Sequence, residues 1–283
     1  MSILWYPTPK QSPLLGSLGL GGGIGANVIR SAAGGGSGTV DTSAAHFWDF
    51  SSNNSSPFDD QVGSLSFTVN TGSMATGSSS GSYGNPPGWS GGYGYIANSG
   101  SYVQTAANAC FNLSGNFCID CCFYNPNGTS NQFMAWSQGK SSTEAWYIYN
   151  SGGNARWNSA NSDYSGRMGG DGEGGSDSDP EHNYVADAWC VSRMRRSGDT
   201  VHIKIYKANS GNTGWDQAPG SPYSNSCTGT GPDGASNGGF LALNGWTYAG
   251  TSGDSYSVDN LAIAWMAYYT NGGKTDDPFV PGS

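Results

Sequence analysis

WCVSRMRRSGDTVHIKIY, residues 189–206, is the stretch on which the fold of this chain turns. Its second half, 200–206, alternates apolar Val201, Ile203 and Ile205 with polar neighbours, the period of a half-buried strand. Its first half is led by Trp189, and Ser197-Gly198-Asp199 between the halves suits a tight antiparallel connection. The segment predicts a β-hairpin. Strand-like runs recur around it between Gly, Ser, Asn and Pro turn signals: 44–50 (AAHFWDF), 64–70 (SLSFTVN), 94–104, 115–124 (GNFCIDCCFY), 132–138 (QFMAWSQ), 145–149 (AWYIY), 155–158, 240–243 and 256–269 (YSVDNLAIAWMAYY). With so many strands and no helix of core length, the body is expected to be all-β.

Composition agrees with this reading and excludes several functions. The chain has 46 glycines in 283 residues, more than twice the usual share of about 7%. Aromatic residues make up 13%, enough to fill a sizeable core, while charged residues are only 11%. A net charge of -9 with 11 Lys and Arg argues against nucleic acid, whose phosphates require clustered basic side chains. The one basic cluster, Arg193, Arg195 and Arg196, is expected on the solvated face and turn of the hairpin.

Six cysteines stand at 110, 118, 121, 122, 190 and 227. Cys118-Ile-Asp-Cys121 is a C-x-x-C, but no second pair or histidine pair stands at zinc-site spacing. On a regular strand Cys118 and Cys122 point to one face and Cys121 to the other, so they do not converge on a metal. They are expected as buried thiols, and the even total leaves disulfides open.

The order of these segments resembles the laminin-G-like branch of the concanavalin A-like lectin/glucanase superfamily. The resemblance runs from FWDF through SLSFTV, SGSYVQT, LSGNFCIDCCFY, FMAWSQGK and AWYIYNSGG, and rests mostly on the hairpin 188–209 and the closing YSVDNLAIAW. It implies a jelly-roll sandwich of two antiparallel sheets. That fold hosts lectins, glycan hydrolases and structural modules, so the site must decide the function. The superfamily's glucanases carry E-x-D-x-x-E on one strand, supplying nucleophile and acid/base. Here Glu144, Glu173 and Glu181 make no such pair, and no G-x-S-x-G elbow accompanies His46, His182 or His202. The chain is therefore expected to be non-enzymatic, with His202 a surface or half-buried strand residue.

Two binding chemistries remain. Carboxylates in the glycine-rich loop 169–181 could offer oxygen ligands to calcium, but their spacing fits no EF-hand or β-roll, and the loop is read as solvated. The superfamily resemblance implies a structural calcium at Asp49 and Asp259, near Asp59 and Asp60, with turn capping as the other role of these carboxylates. Flat aromatic rings flanked by amides suit sugars. Trp89, Tyr93, Trp215, Tyr223, Trp246 and Tyr248 sit in Gly/Pro/Asn-rich stretches, and Trp215, Asn244, Trp246 and Tyr248 are the chosen carbohydrate contacts. Core plugging or a subunit contact is the alternative for the same rings.

Residues 1–40 differ from everything after them, dividing the chain into an extended arm (1–40), a sandwich (41–275) and a tail (276–283). The arm has no basic start before its apolar run, unlike a secretory signal. Its glycines at 16, 19, 21, 22, 23 and 25 are unsuited to a membrane span. Gly21–Ala26 matches the dinucleotide pattern G-x-G-x-x-A only formally, since no strand precedes it. SILWYPTPKQSPLLGSLGLGGG resembles the leader of tailed-bacteriophage virion proteins. That resemblance implies a homo-oligomeric virion appendage, decoration or fibre subunit. Trp5, Tyr6, Leu14, Leu15, Leu18 and Leu20 would dock it onto other virion proteins while the sandwich meets a host surface glycan. A secreted or cell-surface lectin and a glycan hydrolase are the competing classes.

Overall fold

The computed structural model describes residues 40–51, 58–71, 75–76, 83–89, 92–96, 102–106, 108, 110, 116–125, 130–138, 145–151, 154–159, 187–198, 200–217, 223–226, 241–243 and 261–271. The arm 1–39, the acidic loop and the tail lie outside these residues. The described strands are β1 (His46–Asp49), β2 (Phe67–Thr71), β3 (Ala75–Thr76), β4 (Gly94–Ile96), β5 (Tyr102–Thr105), β6 (Phe117–Asn125), β7 (Ser130–Gln138) and β8 (Ala145–Ser151). They continue with β9 (Asn154–Ser159), β10 (Ala188–Ser197), β11 (Thr200–Ala208), β12 (Trp215–Gln217), β13 (Tyr223–Ser226), β14 (Leu241–Leu243) and β15 (Leu261–Tyr269).

All pairings are antiparallel, in two sheets. A nine-stranded sheet runs β12-β11-β10-β6-β15-β4-β3, with β1 also on β15 and β13 also on β11. A six-stranded sheet runs β2-β5-β14-β7-β8-β9. The protein is an all-β sandwich, all-β as the alternating runs predicted and a sandwich as the resemblance implied. Among the described residues no helix is long and apolar enough to cross a membrane.

Period-two alternation on β6 divides the molecule. Phe117, Ile119, Cys121 and Phe123 enter the core between the sheets, meeting Phe67 and Val103 of the smaller sheet and Leu241 and Leu243 of β14. Cys118 and Cys122 join a second apolar cluster on the outer face of the larger sheet, with Trp189, Val191 and Trp265. This second layer accounts for the nearly continuous apolar sequence of β6, β10 and β15, which are buried on both faces. Cys118, Cys121, Cys122 and Cys190 are buried thiols outside any disulfide, with Cys118 and Cys122 facing away from Cys121 as their spacing predicted. Burial pushes the Cys121, Cys122 and Cys190 thiols upward.

The short β3 lies in the Ser/Gly stretch after β2. The structure corrects two local expectations. The run 94–104 is not one strand, since β4 belongs to the larger sheet and β5 to the smaller. The arginines of the hairpin are not all solvated, because Arg193 and Arg196 are both 4% exposed. Arg193 lies opposite Asp120 in the β10–β6 register, and its Nε and a terminal nitrogen each donate to that carboxylate at 2.6 Å. Burial works against the charge on Arg193, but Asp120 outweighs it and raises the guanidinium pKa. A two-pronged pair of this kind satisfies both ions where water does not reach.

Candidate functional site

The registers place one row of side chains across the outer face of the larger sheet. Tyr95 pairs with Ala262, Ala262 with Tyr124, and Tyr124 with Trp189; Ala208, at the far end of β11, pairs with Trp215. Residues directly opposite in a ladder share a face, so the row is aromatic with small alanines between. A loop from Tyr83 to Tyr93 lies over it. Tyr83 stacks on Tyr124 at 4.1 Å, Tyr93 meets Trp189 edge-on at 5.2 Å, and Trp189 Nε1 donates to the Tyr83 and Gly84 carbonyls. Burial pushes the Tyr83 phenol up to about 12, with Tyr95 and Tyr124 adding to the shift.

The row opens to solvent at the β11–β12 edge. Trp215 and Tyr206 are half-buried there, and Lys204 Nζ lies 5.1 Å from the Tyr206 ring centroid. The hairpin loop beside them is tied by Asn209, whose Oδ1 accepts from Thr213 N at 2.9 Å and whose N–H donates to Gly214 O. Asn212 takes a φ of 52°, a left-handed conformation that asparagine tolerates. Its Nδ2 donates to Asn85 O at 2.7 Å, joining this loop to the one that covers the aromatic row. Among the described residues, the buried atoms Trp215 Nε1 and Asn85 Oδ1 find no hydrogen-bond partner, which leaves one donor and one acceptor unused at this edge.

Of the residues chosen from sequence, only Trp215 can be placed in this edge, and it lies on a strand rather than in a loop. Asn244, Trp246 and Tyr248 lie outside the described residues, as do Asp259 and the arm side chains Trp5, Tyr6, Leu14, Leu15, Leu18 and Leu20. Trp89 and Tyr93 are 4% and 0% exposed, so they are core residues of the outer layer and not a surface platform. Sequence reasoning did not single out Tyr206, Tyr124 or Tyr83, whose association depends on register and loop placement.

The carboxylates near the opening strand organise backbone. Asp49 Oδ1 accepts from Ser51 N at 2.7 Å. Asp60 Oδ1 accepts from the backbone N–H groups of Phe47, Val62 and Gly63, while Oδ2 accepts from Leu65 N and lies 2.6 Å from His46 Nδ1. Five partners occupy the Asp60 lone pairs, so it does not fit a calcium ligand. Burial opposes its ionisation, but the His46 contact and the Gly63, Phe47 and Leu65 N–H groups hold its pKa below the ordinary 3.8. His46 Nε2 in turn lies 3.5 Å from Cys110 Sγ, a thiol–imidazole–carboxylate array that the sequence did not suggest. Among the described residues no three His, Cys, Asp or Glu side chains converge as a metal site. His202 is half-buried on β11, as expected, and burial together with Arg195 lowers its pKa.

The fold and edge define an all-β sandwich with an aromatic outer layer. No protein-family model and no curated protein matches the chain. Among solved structures it is similar to the botulinum neurotoxin serotype D binding domain, at 10% identity and a TM-score of 0.48, over 82% of this chain and 49% of that one. It is also similar to the binding domain of botulinum neurotoxin DC in complex with rat synaptotagmin II, at 10% identity and a TM-score of 0.49, over 81% and 48% of the two chains. A third, the binding domain of botulinum neurotoxin DC in complex with SialylT, gives 10% identity and a TM-score of 0.48 over 82% and 49%. The chain thus spans about half the length of these structures.

Proposed function

We propose that this protein is a non-enzymatic display module that binds glycans at the open edge of its aromatic row. The observation that supports this is the half-buried pair Trp215 and Tyr206, beside Lys204 and an amide-rich loop with Asn209 and Asn212. Flat rings cover the apolar face of a sugar while amides and hydroxyls take its polar rim. Asn244, Trp246 and Tyr248 belong to the same reading as further contacts. The test is a glycan array probed with the full chain, with Trp215→Ala and Tyr206→Ala as paired controls. Binding lost in both variants, each still folded by near-UV circular dichroism, is the expected result. Absence of signal on every glycan, or binding unchanged in both variants, overturns the reading.

The context we propose is a virion, with the sandwich held out as an appendage, decoration or fibre subunit of a homo-oligomer and residues 1–40 docked on neighbouring virion proteins. Its support is the arm's sequence: prolines and glycines around Leu14, Leu15, Leu18 and Leu20 suit a segment that gains order only on a partner. Deletion of 1–40 should leave the body folded and glycan-competent but absent from purified particles. Normal incorporation of the truncated body into particles would refute the anchoring role.

A further inference from the structure

Cys110 differs from the four enclosed cysteines. It is half-buried rather than fully enclosed, and an imidazole nitrogen, His46 Nε2, lies beside its sulfur. The surroundings fix that imidazole. Its Nδ1 faces Asp60 at 2.6 Å, and its ring stacks against Trp48 at 5.7 Å and Tyr268 at 6.1 Å. Gly63 closes the remaining side, where a Cβ would come within 2.4 Å of His46 Nδ1 and 2.8 Å of the Ala45 carbonyl. In the tautomer that donates Nδ1–H to the Asp60 carboxylate, the ring presents its Nε2 lone pair toward Cys110 Sγ, 3.5 Å away. Cys110 is itself anchored, its N–H donating to Asn108 Oδ1 at 3.0 Å and its carbonyl accepting from the Tyr268 hydroxyl.

We infer that Cys110 is a covalent modification site, a thiol that His46 deprotonates for attack on a small disulfide. In the exchange, Cys110 Sγ attacks one sulfur of the incoming disulfide as its proton passes to His46 Nε2. The new Sγ–S bond forms as the old S–S bond breaks, and the departing thiolate takes the proton from His46. Cys110 is oxidised to the mixed disulfide and the departing sulfur is reduced to a thiol, so no further reagent is required. Burial, with the Asp60 charge, pushes the Cys110 pKa up to about 11, so little standing thiolate exists at neutral pH and the proton must leave as the bond forms. This is the circumstance in which a positioned base accelerates reaction. Asp60 acts as a positioning residue, because it orients the ring and does not touch the sulfur.

The test uses the full chain carrying Cys227→Ser, so that only the five described cysteines respond, treated with 5,5′-dithiobis(2-nitrobenzoate) and mapped by peptide mass. One equivalent at Cys110 should react about a hundredfold faster than the enclosed four. His46→Gln should slow that equivalent by at least about tenfold while leaving the slow four unchanged, and Asp60→Asn should slow it less. Unfolding in a variant would release all four enclosed thiols at once, so a folding defect is visible in the same trace; in that event the Cys227→Ser chain with His46 intact, treated with diethyl pyrocarbonate, supplies the second reading, and its fast equivalent should slow. Cys110 reacting no faster than the enclosed thiols, or as fast with His46 replaced or blocked, overturns the inference.

Discussion

Asp60 shows how one carboxylate can organise a turn that sequence spacing does not reveal. It gathers four backbone N–H groups and the His46 ring, which fixes the segment from Asp60 to Leu65 against β1. Leu65 then supplies the carbonyl that accepts from Trp48 Nε1 at 2.5 Å, linking the turn to the core between the sheets. Asp60→Asn should cost about 1–3 kcal/mol in urea unfolding at neutral pH, since an amide cannot accept at both positions. The pH dependence has a fixed sign. The folded-state pKa lies below 3.8, so the unfolded chain takes up the proton first, and the contribution is complete above that value and lost as pH falls through the folded pKa. The difference in stability between wild type and Asp60→Asn should shrink in that window, and a gap constant down to pH 2 would contradict the assignment. The second residue-scale expectation concerns the Arg193–Asp120 pair. Asp120→Ala should cost about 3–5 kcal/mol because it strands a buried guanidinium, whereas replacing both partners with apolar residues of similar volume should cost much less. A double-mutant cycle from chemical denaturation measures this, and simple additivity would count against it.

At the scale of elements, the hairpin of β10 and β11 was legible because its local chemistry and its global role coincide. Ser197 pairs with Thr200, and Gly198 between them adopts a φ of 60°. A Cβ at Gly198 would meet no atom within 4 Å, so Gly198→Ala tests backbone conformation alone. Its expected cost is about 1–2 kcal/mol, read as a shift in the urea midpoint with an unchanged slope. No change would mean that the turn relaxes to another type. β6 was equally legible: its alternation predicted Cys121 on one face with Cys118 and Cys122 on the other. The arginines were misjudged for a related reason. Alternation says which residues share a face but not whether that face meets water, and Arg193 shares its face with Asp120 under the outer layer.

For the whole molecule, the loop from Tyr83 to Tyr93 completes an outer layer on a sheet that an ordinary sandwich leaves open to solvent. Trp89 anchors it, its Nε1 donating to Gly92 O at 3.1 Å and its ring 4% exposed. Trp89→Ala should cost about 3–5 kcal/mol in thermal or urea unfolding and expose apolar surface to a hydrophobic dye; a loss below about 1 kcal/mol would show that the layer closes without it. Closure also involves chain ends of the body, because the Tyr269 hydroxyl on the last strand donates to Asp41 Oδ2 at 2.7 Å. From sequence alone came the all-β class, the central hairpin, the two faces of β6 and Trp215 as a candidate contact, because period-two patterning and turn chemistry are local. The tertiary structure decided that 94–104 divides between two sheets, that Trp89 and Tyr93 are interior while Tyr206 and Trp215 mark an edge, and that Cys110, His46 and Asp60 meet. These depend on contacts between residues far apart in the chain, 64 positions for His46 and Cys110 and 106 for Tyr83 and Trp189, and only the packing of one sheet and loop on another sets such contacts.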